Sequence, residues 1–75
     1  MWRVIVQCSA DSWRTHAKAF NAIAEDYPGT PIASKKMKED ERRIMDYQFE
    51  MVSDAEEFVD ACLELDGFSA SFEAL

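Results

Sequence analysis

RRIMDYQFEMV, residues 42–52, alternates without a break. Met45, Tyr47, Phe49 and Met51 share one parity, and Ile44, Asp46, Gln48 and Glu50 take the other. Successive side chains of a strand point to opposite faces, so the segment predicts a strand with one face buried and one mostly in water. The residues that follow, Ser53-Asp54-Ala55-Glu56, match a capping box, in which the Ser and the Glu each satisfy a free backbone N–H. Ala55, Phe58, Val59, Cys62 and Leu65 then recur at helical spacing and predict the buried stripe of a helix. Gly67 suits the left-handed residue beyond its end, where a Schellman-type turn would bring Leu63 against Phe68. FSASFEAL (68–75) closes the chain as a strand with Phe68, Ala70 and Phe72 inward.

Toward the N-terminus the same logic gives a first half of matching form. WRVIVQC (2–8) is β-branched and alternating, with Trp2, Val4, Val6 and Cys8 on one side. Ser9, Asp11 and Ser12 offer N-caps, and Trp13, Ala17, Phe20, Ile23, Ala24 and Tyr27 form a helical stripe that Pro28-Gly29 stops. TPIASKKMK (30–38) reads as an edge strand with a proline at its start, and the acidic residues 39–41 as the turn. The order β-α-β-β-α-β predicts a single ferredoxin-like α+β domain over residues 1–75. Such a domain has a four-stranded antiparallel sheet in the order 4-1-3-2 and both helices on one face. At 75 residues it lies near the lower limit for a core that folds without staples.

Composition narrows the function. Residues 35–43 hold five of the eight basic residues, whereas residues 44–75 carry nine acids and no base. Lysines on an edge strand discourage pairing with another chain, which accounts for Lys35, Lys36 and Lys38. The net charge of −7 repels nucleic acid and anionic membrane alike, so a charged partner is expected to be a basic protein surface. No apolar run approaches the roughly 20 residues that span a bilayer, and MWRVIVQCSAD has no apolar stretch with a cleavage site. A cytoplasmic setting is therefore expected. Cys8 and Cys62 are expected as buried free thiols, and no metal site or cofactor is expected.

Catalytic and nucleic-acid motifs are missing. Tyr47 and Phe49 share the buried parity, so the open sheet face has no stacking platform for RNA. Cys8-Ser9-Ala10-Asp11 keeps only half of a metal-carrier Cys-x-x-Cys pair. His16, the only histidine, lies beside an apolar stripe with no positioned partner, and Gly29 and Gly67 form no phosphate loop. The chain is read as non-enzymatic. The loop CSADSW (8–13) resembles the ligand loop of ACT regulatory domains, with Ser12 and Trp13 after Asp11 where that family carries a glycine. The resemblance implies, as an alternative, a small-ligand sensor or a module that forms homodimers.

The remaining signal is acidic. Glu56, Asp60 and Glu64 fall at i, i+4 and i+8, with Glu57 alongside. Each like-charged pair at that spacing costs about 0.2–0.5 kcal/mol, and no lysine interleaves to offset it. With Asp46 and Glu50 these carboxylates are the expected partner-binding residues, facing a basic groove that ordinarily holds nucleic acid. Small acidic inhibitors of nucleic-acid-handling machines, often phage-encoded, have this composition.

Overall fold

β3 (Arg43–Phe49) lies inside the sheet, between β2 (Thr30–Lys36) and β1 (Trp2–Cys8), with β4 (Phe68–Ala74) on the far side of β1. All three pairings are antiparallel. Helices α1 (Ala10–Asp26) and α2 (Val52–Leu63) complete the β-α-β-β-α-β order in this computed structural model, which describes residues 1–75. The arrangement is the ferredoxin-like α+β fold that the sequence predicts.

The alternation of the two inner strands sets the core. Val4, Val6 and Cys8 of β1 and Met45 and Phe49 of β3 point to the helices and are buried. α1 starts at Ser9, whose Oγ accepts the Ser12 N–H at 3.1 Å. It ends at Tyr27, which is extended because a following proline disfavours the helical conformation. Among α1 residues only Phe20 is fully buried, while Trp13, Ile23 and Ala24 pack against the core from its margin. Phe58 of α2 is the hub, its ring 5.1 Å from Phe49, 5.2 Å from Tyr47, 5.7 Å from Tyr27 and 6.3 Å from Phe20. Edge-to-face and tilted ring pairs of this kind add about 0.5–1.5 kcal/mol each beyond their burial.

Three local expectations are corrected. β3 leaves the sheet at Phe49, so Met51 is not a strand residue; it is the helix N-cap and 60% exposed. The capping box does not form, because α2 begins at Val52 and Ser53 already lies inside its first turn. A cap contributes about 1 kcal/mol, less than full burial of Phe58, so the core dictates where the helix starts. At the other end the Phe68 N–H bonds Leu65 O at 3.1 Å, with Gly67 at φ 82° inside that turn. No Schellman bond to Leu63 is made, and Leu63 is 51% exposed. Phe72 has the expected parity but lies toward the end of β4, against Trp2 and 36% exposed.

Candidate protein-binding face

α2 packs over β4 and β1 through Ala55, Phe58, Val59 and Cys62. With that stripe fixed, the helical repeat turns Glu57, Asp60 and Glu64 directly outward and Glu56 to one flank. All four are exposed. None takes part in an ion pair, since the pairs in the molecule are Arg3–Asp46, Arg3–Glu73, Arg14–Asp11 and Lys36–Glu41. Arg43 is engaged as well, its guanidinium carbon 4.7 Å from the centre of the Trp13 ring. The sheet order puts the basic β2–β3 hairpin at one edge and β4, beneath α2, at the other.

The other two predicted carboxylates do not join this face. Asp46 projects from the open side of the sheet, where its Oδ2 accepts from Arg3 Nη2 at 2.7 Å and its side chain is 16% exposed. Glu73 closes on the same guanidinium at 3.3 Å. The hydrogen bond from Arg3 to Asp46, reinforced by its charge, holds the guanidinium above its ordinary pKa. Asp46 is thus matched within the chain. Glu50 lies in the bend after β3, beside Met51 and Asp54 at the N-terminal end of α2.

The loop at residues 9–13 is occupied by its own capping. Ser9 Oγ donates to Ser12 Oγ and accepts from the Ser12 N–H, the Trp13 N–H bonds Ser9 O, and Asp11 pairs with Arg14. Beside it a hollow of about 280 Å³ is lined by Gln7, Ser9, Arg42 and Ser69 among others. A second hollow, about 330 Å³, opens between α1 and β2 over Trp13, Phe20, Met45 and Tyr47. Sequence reasoning does not find it, because no local pattern places Arg43 over Trp13. Its signal was the odd parity that Arg43 shares with Met45 and Tyr47.

Both cysteines are free and buried. Burial pushes the Cys62 thiol up to about 12, and raises Cys8 too, with Arg43 opposing. Burial also raises Tyr47. His16 is half-buried, edge-on to Phe68 at 6.2 Å. No group of three His, Cys, Asp or Glu side chains is placed to hold a metal ion. No helix is long and apolar enough to cross a membrane. No protein-family model, curated protein or solved structure matches the chain.

Proposed function

We propose that this protein is a non-catalytic binding module that presents the outer face of α2 to a basic protein surface. The observation that carries the reading is the set Glu56, Glu57, Asp60 and Glu64, exposed along one helix and without a cation from the same chain. Unmatched like charges at helical spacing cost stability, and a partner that supplies lysines or arginines recovers that cost. The regular spacing suits a groove built for a phosphate backbone, so the module acts as a nucleic-acid mimic that inhibits such a partner, as phage-type inhibitors do. Asp46, matched by Arg3, contributes little to this face, and Glu50 stands apart from it in the bend after β3.

The test is paired affinity capture from cytoplasmic lysate with the wild type and the E57K/D60K/E64K variant, at low and high salt. Each reversal adds two charges, so the net charge moves from −7 to −1. The expected result is a set of proteins held by the wild type at low salt, released at high salt and missing from the variant. Capture that ignores the reversal removes this face from consideration. A second reading, a small-ligand sensor through residues 9–13, draws on the hollow of about 280 Å³ beside Ser9. It requires a rise in melting temperature with small metabolites.

A further inference from the structure

The two edges of the sheet are built differently. β2 carries Pro31, a register shift between Pro31 and Ala33, and Lys35 and Lys36, all devices that discourage a further strand. β4 has none of them. Its seven residues pair with β1 in unbroken register, it contains no proline, and Glu73 is its only charge. Nothing in the chain covers its outer edge, so alternate backbone N–H and C=O groups there have no partner from the sheet.

α2 overhangs this edge. The flank of α2 bearing Asp54 and Ala61 is partly covered, with Asp54 beside Pro28 and Thr30 just beyond the end of α1. The opposite flank, with Val52, Glu56 and Leu63, looks out above β4. Val52 is 37% exposed, Leu63 51% and, on the strand below, Phe72 36%. These apolar side chains line the space that the side chains of one added strand would fill, about 4.8 Å beyond β4. Glu56 borders that space, and Asp60 lies one turn on.

We propose that β4 accepts an extended basic segment of the partner as a fifth strand of the sheet. The segment is about seven residues long, the length of β4. Its backbone pairs with the free edge. Long cationic side chains at alternate positions lay their stems along Phe72, Leu63 and Val52 and place their heads at Glu56 and Asp60. Charge selects this occupant over a second copy of the chain, because two-fold pairing through β4 would set two acidic α2 helices side by side, each on a body of net charge −7. The inference rests on the acidic-face reading and adds the partner's conformation to it.

The test titrates the full-length, isotope-labelled protein with a synthetic peptide of alternating lysine and valine, followed by NMR. Amides of residues 68–74 should shift, and those pointing away from β1 should gain protection from hydrogen exchange. N-methylation of the peptide amides facing β4 removes several hydrogen bonds and should weaken binding by about tenfold or more, while methylation of the other set should not. L63K should weaken binding with the fold unchanged. Shifts confined to α2 and indifferent to N-methylation would overturn strand addition while leaving the acidic-face reading standing. Loss of binding together with capture indifferent to the reversed variant would sink both. Concentration-dependent protection of β4 without peptide would assign the edge to a second copy and overturn the proposal.

Discussion

Gly29 reads in sequence as a helix stop, but its lack of a side chain matters more. A Cβ at residue 29 would collide with Phe49 Cζ and lie within 2.9 Å of both neighbouring ring carbons. That ring is 1% exposed and packed 5.1 Å from the Phe58 ring, so it cannot swing aside cheaply. Gly29→Ala is therefore an overpacking change, costing about 1–3 kcal/mol, against a gain of about 0.4–1 kcal/mol from a stiffer unfolded chain. The net loss of up to about 2.5 kcal/mol is large for a domain of this size and should appear in urea melts as a lower midpoint at unchanged slope. A thermal melt should fall by about 4–8 °C for each kcal/mol lost. Phe49→Leu removes the ring atoms that a Cβ would meet. In that background only the unfolded-state gain remains, so Gly29→Ala should change sign and become neutral or stabilising, a coupling of about 1–3 kcal/mol. Additivity of the two changes within about 0.5 kcal/mol would refute the clash and return Gly29 to the role of a mere stop.

Phe58→Ala should be the most damaging single truncation, costing about 3–5 kcal/mol by chemical denaturation, because four rings converge on that side chain. Gly67→Ala should cost about 1–2 kcal/mol from the left-handed φ of 82°, and Ser12→Gly should recover only the part due to the Ser12 hydroxyl. Cys62 stays a neutral thiol in the folded protein up to about pH 12, whereas an unfolded cysteine ionises near pH 8.5. Between those values the unfolded chain binds fewer protons, so stability should be full below about pH 8.5 and fall as pH rises, and Cys62→Ala should flatten that slope. The same burial predicts that a thiol reagent at pH 8 labels Cys62 only after denaturant is added. E57K/D60K/E64K should stay folded and melt within about 12 °C of the wild type, because each substitution of an exposed side chain away from packed features stays within about 0.5 kcal/mol.

Where the buried face was one-sided, sequence sufficed. The alternation of residues 43–49 and 2–8 gives both central strands with their faces, and the stripe Ala55, Phe58, Val59, Cys62 gives α2 with its buried side. Parity does not mark where a chain leaves a sheet, which is why Met51 continues the pattern of Phe49 yet caps a helix. Local motifs fared worse than periodicity because their energies are small. The box at residues 53–56 and the Leu63 contact each gave way to placement of Phe58 and to the turn at Gly67. Of the candidate face, the four helix carboxylates were legible from spacing alone. The matching of Asp46 was not, since it needs Arg3, Asp46 and Glu73 brought together by two strand pairings. Those residues are separated by 43 and 70 positions in sequence from Arg3, and only the register of β3–β1–β4 makes them neighbours.

That register and order also decide what the lopsided charge map does. If β2 lay next to β4, the bases of residues 35–43 would stand beside the α2 carboxylates and quench their field. In the order β2-β3-β1-β4 three strand spacings intervene, about 14 Å, against a screening length of about 8 Å at physiological salt. Two of the five bases in the hairpin are further tied down locally, Lys36 with Glu41 at 3.7 Å and Arg43 on Trp13. The two ends therefore behave as separate electrostatic surfaces. A cationic partner approaching from the β4 side meets the α2 carboxylates with little opposition from the hairpin, and one approaching from the β2 side meets lysines. Lys35, Lys36, Pro31 and the irregular register close β2 to strand pairing, so the same chemistry that repels a basic partner there also denies it an edge. At β4 both conditions are reversed: the field is attractive and the edge is open. Charge and hydrogen-bonding capacity thus point to the same side of the molecule for the proposed contact.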